Sequence, residues 1–331
     1  MCKDKKTIVF GVGADFSQFK DEIFKTNNVC ALLDNDERKH GFMVEGLMVH
    51  HPKDIGMIEY DDILVTTTAY HVEIRKQLVQ WGVPNEKIRT FQFPIVYIDK
   101  YLGGIAGKIV LDIGCGDGNE VKSLASQCMP YKIMGIDPSV KEPAGGDNWL
   151  ISNGDAENLS FEDNTFDAVY SKNAFEHIKD IRKTLLEVKR VLKPQGRFYC
   201  RFGDIWTSIQ GYHDNRDANL IQAMPPWCHL YMSDDELACL FQQNGFDNIS
   251  WMNYIKNNLN HYSRTELVSF IMFSGMLVKK YSERSRLTRS FSVSFESECS
   301  DDIRRKVKRA GYKIEDLGVY GIEFILEKCC C

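Results

Sequence analysis

Short apolar runs alternate with helically spaced apolar positions along this chain, and the alternation starts twice. Thr7-Ile8-Val9-Phe10-Gly11-Val12-Gly13 has the pattern of a buried strand ending in glycines. A helix follows over about Phe16 to Thr26, then a second strand, Val29 to Asp34, that ends in an acid. Asp62 to Thr67 reads as a strand. His71 to Trp81 reads as a helix closed by Gly82 and Pro84. This first unit is of the βαβ type and ends near Phe93 or Pro94.

The second start is Lys108 to Gly114, a strand that breaks into Gly114, Gly116 and Gly118. A helix over Asn119 to Ser126, a strand over Ile133 to Asp137 and a short strand leading to Gly154-Asp155 come next. Phe166 to Tyr170 is the fourth strand. Asp180 to Leu192 is a helix stopped by Pro194-Gln195-Gly196, and Arg197 to Phe202 is the fifth strand. Asp234 to Asn244 is helical, and Val319 to Leu326 is a late strand. Between them the pattern predicts an insertion at about 254–316, with an apolar helix near Glu266 to Tyr281 and a basic helix near Asp301 to Arg309. Such alternation implies an α/β fold with a mostly parallel sheet covered on both faces. The expected organisation is a small Rossmann-like domain over 1–94 and a larger domain over 95–331.

Composition narrows the function classes. The 331 residues carry 41 basic and 46 acidic side chains, a net charge of −5, which disfavours nucleic acid as a partner. No apolar run is long enough to span a bilayer, and the first residues lack a secretory pattern. Eleven cysteines lie scattered without a CxxC pair. Thiols in a reducing cytoplasm, with no bound metal, are the expectation. Cys329-Cys330-Cys331 does not match a prenylation box.

The glycine turn carries the chemistry. In an open parallel sheet, ligands bind beyond the carboxyl ends of the strands. Asp112-Ile-Gly114-Cys115-Gly116-Asp-Gly118 sits at such an end, where glycines let backbone approach a ligand. Asp137 ends the next strand, as suits two ribose hydroxyls. Asp155 ends the third, as suits an exocyclic amine. The spacing is GxGxG rather than GxGxxG, and no phosphate-cradling P-loop occurs. Three carboxylates would repel a polyphosphate. They fit a ligand with a positive end, a ribose and an adenine, which describes S-adenosylmethionine.

The stretches Val110 to Gly118, Gly135-Ile-Asp137, Gly154 to Phe161, Phe166 to Tyr170 and Val191 to Gly196 resemble those of class I S-adenosylmethionine-dependent methyltransferases, of the methyltransferase type 11 kind. The resemblance implies a seven-stranded, mostly parallel Rossmann-like sheet. It implies that Gly114, Cys115 and Gly116 flank the methionyl part and that Asp112 lies near its ammonium. It further implies Asp137 and Pro138 at the ribose, Asp155 and Ala156 at adenine, and Lys172 and Asn173 along the methionine and donor sulfur.

A hydroxyl acceptor must lose a proton during transfer, which points to histidines. Three are candidates for catalysis: His177, His213 and His229. His177 follows Glu176 where some quinone-pathway methyltransferases hold a metal through Glu-x-x-Glu-His, but Asn173 replaces the first acid. Trp206 to His213 and Pro225 to Leu230 resemble a methyltransferase loop reading W-S-x-x-G-H-H and later P-W-x-H-L, with Tyr212 in place of the first histidine. Arg201, at the end of the fifth strand, could pair with an anionic acceptor or serve a structural ion pair.

Residues 1 to about 94 resemble the small Rossmann-like domains of polysaccharide-tailoring enzymes, through Phe10-Gly-Val-Gly13, Leu33-Asp-Asn-Asp36, Val65-Thr-Thr67 and Trp81-Gly-Val-Pro84. That resemblance implies a nucleotide or nucleotide-sugar at Gly11, Gly13 and Asp34, or a domain that only packs against a partner or second subunit. The combined expectation is a cytoplasmic enzyme that O-methylates a sugar, nucleotide-sugar or other polar small molecule in glycan biosynthesis. A quinone-like or lipid-like acceptor and a non-catalytic donor-binding assembly protein are the alternatives. The apolar helix over Leu267 to Val278 would cover the acceptor, form a homodimer face, or serve as core.

Overall fold

The computed structural model describes residues 5–67, 71–91, 96–209, 211–212, 224–246, 248–285 and 299–330. The chain divides into two compact units, Met1–Pro94 and Ile95–Cys331.

In the first unit, β1 (Lys6–Phe10) is the central strand. It pairs in parallel with β2 (Asn28–Leu33) on one side and β5 (Asp62–Val65) on the other. β4 (Leu47–His50) extends the sheet beyond β2, and β6 (Ile88–Thr90) extends it beyond β5. β3 (Met43–Val44) folds back on β4 as a hairpin. Ile8, Val9 and Phe10 are fully buried, as a central parallel strand requires. Helices α1 (Ala14–Thr26) and α2 (His71–Gln80) follow β1 and β5. The Asp34 carboxylate accepts from Val12 N (2.8 Å), Asp36 N (2.9 Å) and Lys39 Nζ (2.9 Å). It braces the turn between β1 and α1 from within the unit.

The second unit is built on an eight-stranded sheet. Helix α3 (Val96–Leu102) leads into β7 (Ile109–Ile113), α4 (Asn119–Gln127) and β8 (Lys132–Ile136). A small edge hairpin, β9 (Ala144–Gly145) and β10 (Trp149–Ser152), precedes β11 (Phe166–Lys172) and α5 (Ile181–Val191). β12 (Leu192–Gly203) is followed by α6 (Cys228–Tyr231), α7 (Asp234–Gln243), α8 (Asn248–Asn258) and α9 (Arg264–Met272). β13 (Leu277–Ser285), α10 (Asp301–Arg309) and β14 (Val319–Glu327) complete the unit. The strand order is β13-β14-β12-β11-β7-β8-β10-β9. β14 is antiparallel to both its neighbours, and the strands from β12 to β10 are parallel. The order reverses at β7, which puts the crevice beyond the ends of β7, β8 and β11.

The apolar helix expected as far as Tyr281 stops at Met272. Ser274 and Gly275 (φ +73°) turn the chain, and Leu277–Ser285 becomes the edge strand β13. Alternation explains the residues once they form a strand. Glu283 faces Arg264 of α9 (Nε to Oε1, 2.9 Å), while Lys280 and Arg284 point to the other side. The stretch 254–316 therefore supplies part of the sheet itself. β9 adds one short strand to the seven expected.

The core between the sheet and helices α5 and α9 contains Val169, Phe198, Phe202, Leu185, Phe270 and Phe324. Asp180 caps α5 by accepting from Lys183 N, and capping boxes at Ser233 and Ser263 start α7 and α9. A separate apolar cluster, including Trp206, Trp227, Leu237, Phe241, Ile255 and Val307, forms a cap built from the segments after β12 and around α10.

Candidate active site

The end of β7 is where burial and charge conflict most. Asp112 is 3% exposed, and burial pushes its carboxyl up to about 7. The Tyr170 hydroxyl and the Lys172 ammonium ease the charge, while Asp137 opposes it. Tyr170 is the cross-strand neighbour of Asp112, and its buried hydroxyl is close enough to act on the carboxylate without normal hydrogen-bond geometry. Both groups thus lack a strong partner within the described residues, as a site for a ligand ammonium would.

Gly114 and Cys115 both donate from the backbone to the Ile136 carbonyl, at 2.8 and 3.0 Å. Gly114 has φ +81°, and a Cβ there would overlap that of Ala174, so the turn admits only glycine. Gly116, at φ +53°, faces open space. Asp137 holds the turn by accepting from Gly116 N (3.0 Å), and from Ser139 N (2.8 Å) and Ser139 Oγ (2.5 Å). Pro138 is exposed beside it. The Cys115 thiol is pushed up to about 12 by burial and then by Asp112 and Asp137, so it stays protonated at neutral pH.

Asn153 Nδ2 reaches the carbonyls of Pro138 (2.9 Å) and Val140 (3.1 Å), joining the loops after β8 and β10. Asp155 is exposed next to half-buried Ala156, and its carboxylate accepts from Glu157 N at 2.9 Å. Lys172, at the end of β11, forms an ion pair with Glu120 in the first turn of α4. Asn173 has φ +53°, and its N–H donates to the Arg201 carbonyl at 2.8 Å. The fold thus brings Asp112, Gly114, Cys115, Gly116, Asp137, Pro138, Asp155, Ala156, Lys172 and Asn173 to the same ends of neighbouring strands. Glu120 was not anticipated, because its tie to Lys172 spans 52 residues.

These groups fit an adenosyl sulfonium amino acid. A buried carboxylate would suit an ammonium, a second carboxylate at a strand end would suit hydroxyls, and an open glycine would give backbone access.

The histidines separate. His213 lies outside the described residues. His177 is exposed, with Nδ1 2.8 Å from the Asn258 carbonyl. Adjacent Glu176 is buried, and burial raises its carboxyl to about 8. One side chain turns out and the other in. Among the described residues, no group of three or more His, Cys, Asp and Glu is placed to hold a metal. His229 is buried in the cap, 6% exposed, with Nε2 2.7 Å from the Trp206 carbonyl. The carbonyl requires an N–H on Nε2, which leaves the Nδ1 lone pair without a partner among the described residues. Burial lowers this imidazole to about 4, so it is neutral at pH 7. Gly211 passes over the contact; a Cβ there would lie 2.8 Å from His229 Nε2.

The loop after β11 is stapled to the cap. Asn260 Nδ2 donates to the carbonyls of Phe175 (2.7 Å) and Ile178 (2.9 Å), and Lys179 Nζ donates to that of Leu259 (2.6 Å). A cavity of about 480 Å³, lined among others by Lys108, Asp167, Arg197 and Cys330, opens at the opposite ends of the strands and takes no part in this crevice.

A family model described as a methyltransferase domain matches residues 111–200, and one described as C2185-like, N-terminal matches residues 3–89. A demethylmenaquinone methyltransferase of Tropheryma whipplei is 30% identical over 175 residues, covering 46% of this chain and 72% of that protein. A demethylmenaquinone methyltransferase of Symbiobacterium thermophilum is 37% identical over 105 residues, 28% of this chain and 42% of that protein. The crystal structure of an S-adenosylmethionine dependent methyltransferase from Mesorhizobium loti is 14% identical, with a TM-score of 0.42, covering 70% of this chain and 96% of that one. No helix among the described residues is long and apolar enough to cross a membrane.

Proposed function

Because this chain belongs to the S-adenosylmethionine-dependent methyltransferases, we propose that it O-methylates a polar small molecule, a sugar or nucleotide-linked sugar, in the space between the donor crevice and the cap. S-adenosylmethionine supplies an electrophilic methyl group on a sulfonium. Asp112 would bind the ammonium, Asp137 the ribose, and Asp155 with the Ala156 backbone the adenine, while Lys172 and Asn173 line the methionyl end. In-line displacement draws most of its acceleration from holding the acceptor oxygen about 3 Å from the methyl carbon. The protein's task is therefore orientation.

One observation carries the acceptor reading: the neutral, buried His229 with an accepting Nδ1. Such a nitrogen takes the hydrogen bond of a hydroxyl and turns the oxygen lone pair toward the methyl group. The buried imidazole resists a positive charge, so it orients the hydroxyl, and the proton released as the C–O bond forms and the C–S bond breaks passes on to water. His229→Ala is expected to lower kcat about a hundredfold, with the Kd for S-adenosylhomocysteine unchanged.

The Tropheryma whipplei relative, named a demethylmenaquinone methyltransferase, favours a second reading, a quinone-like acceptor. Mass spectrometry of a metabolite extract incubated with the protein and deuterated-methyl donor separates the two. A labelled nucleotide-sugar or sugar supports the first reading. Label found only in quinones or lipids refutes it.

A further inference from the structure

Over β12, β14 and β13, the face of the sheet turned away from α5 and α9 ends in polar side chains rather than a core. Register puts Arg201, Glu323 and Ser282 in one cross-strand row and Gly203, Gly321 and Arg284 in the next. Alternation sends both rows to one face, while Phe202, Ile322 and Phe324 enter the core on the other. The two neighbouring glycines leave a trough, and the Arg284 guanidinium lies in it. A Cβ on Gly203 would sit 2.9 Å from Arg284 Nη2, and one on Gly321 would sit 2.8 Å from its Cζ.

The Phe202 carbonyl (2.7 Å from Nη2) and the Tyr320 hydroxyl (2.9 Å from Nη1) hold the guanidinium, with the Tyr320 ring 4.6 Å away. Its Nε is buried and has no hydrogen-bond partner among the described residues. Among the described residues, no acid forms an ion pair with it. Glu323 is engaged by Lys280 and, at 3.3 Å, by the Tyr199 hydroxyl. Burial keeps the Glu176 carboxyl protonated at neutral pH, and Asp204 stands beside Glu176. A guanidinium held by two neutral acceptors, with a buried N–H left over, is costly unless an anion completes it.

Its location ties it to the reaction. Gly203 is the last residue of β12, two positions beyond Arg201 on the same face. The Arg201 carbonyl is the partner of Asn173, at the expected methyl end of the donor. We propose that Arg284, seated over Gly203 and Gly321, is the subsite for an oxyanion, a carboxylate or phosphate, carried by the methyl acceptor. This rests on the reading that places the acceptor at the ends of β11 and β12. The fork of a guanidinium matches either oxyanion in two-point contact.

The test is titration calorimetry of the full chain at low ionic strength, loaded with S-adenosylhomocysteine, against inorganic phosphate and against succinate. Saturable binding of at least one anion is expected, and whichever binds more tightly identifies the group. Arg284→Met should weaken that binding about tenfold or more, and Arg284→Lys, which keeps the charge but not the fork, by a smaller factor. The Kd for S-adenosylhomocysteine should stay within about twofold in both variants. If Arg284→Met fails to fold, Arg284→Lys alone decides. No saturable binding of either anion, or equal binding by wild type and the folded variants, overturns the subsite. Anion binding without S-adenosylhomocysteine binding would instead overturn the donor site and leave the subsite standing.

Discussion

Replacing Asp112 by Asn should stabilise the ligand-free protein at alkaline pH while weakening its hold on the donor. Burial lifts this carboxyl from 3.8 to about 7 in the folded chain. Below about pH 4 it is protonated whether the chain is folded or unfolded. Between about 4 and 7 the unfolded chain ionises it and the folded chain does not, so stability falls as pH rises through that window. The slope is about 1.4 kcal/mol per pH unit, and the whole loss is about 4 kcal/mol. Asn keeps the shape and removes the titration. Thermal unfolding of the full chain should show Asp112→Asn above wild type at pH 8, with the gain vanishing near pH 4. Donor binding moves the other way. A ligand ammonium needs the carboxylate ionised, so wild-type Kd for S-adenosylhomocysteine should rise about tenfold per unit as pH falls below about 7. The Asn variant should bind at least about tenfold more weakly at pH 8, with little pH dependence. A wild-type Kd that is flat from pH 5.5 to 8.5, together with an unaltered Kd in the variant, would refute the assignment of Asp112 to the ammonium.

Gly114→Ala forces a left-handed backbone onto alanine and drives its Cβ into Ala174. A loss of about 2–4 kcal/mol by urea unfolding, with donor binding abolished by calorimetry, is expected. Asn260→Ala leaves the Phe175 and Ile178 carbonyls without their donor. It should cost about 2–3 kcal/mol and lower kcat more than it raises the KM for the donor. With its thiol held near 12, Cys115 should resist iodoacetamide at pH 8, reacting about a thousandfold more slowly than an ordinary thiol. Peptide mass spectrometry should find Cys239, Cys329 and Cys330, all exposed, labelled first.

The strand ends that carry the proposed donor site were legible because their signals are local. A glycine turn after an apolar run, and acids at three successive strand ends, fall at positions that a parallel sheet brings together whatever its exact register. The edge strand β13 was not legible. Leu267 to Val278 is apolar enough to suit a helix or a strand, and only the turn at Ser274-Gly275 separates the two. The hairpin β3–β4 does carry a readable signal: Glu45-Gly46, between apolar pairs, adopts positive φ at both residues (51° and 80°), as a two-residue hairpin turn requires. The Arg284 trough had no local signal at all. Gly203, Arg284 and Gly321 lie far apart in sequence, and their adjacency exists only once β12, β14 and β13 are in register. The same holds for His229, whose neutrality follows from burial in a cap assembled from stretches far apart in the chain.

That dependence on register bears on how donor and acceptor are brought together. Residues 173–179 form one short segment with two sets of contacts. At its start, Asn173 is tied to the Arg201 carbonyl, and Ala174 presses on Gly114 of the donor turn. Further on, Asn260, the Leu259 carbonyl and the Tyr262 hydroxyl bind it to the cap. The segment has one buried aromatic, Phe175, packed between Phe198 and Phe202 at centroid distances of 5.6 and 5.8 Å, so it cannot slide without opening the core. A cap that moved independently of the donor turn would have to break six hydrogen bonds between described residues of the cap and this segment. In the proposed reading, this single packed segment sets the distance between methyl group and acceptor. Substitutions in the cap that leave Asn260 and Phe175 intact should alter which acceptor fits, and those that disturb either should slow transfer to every acceptor alike.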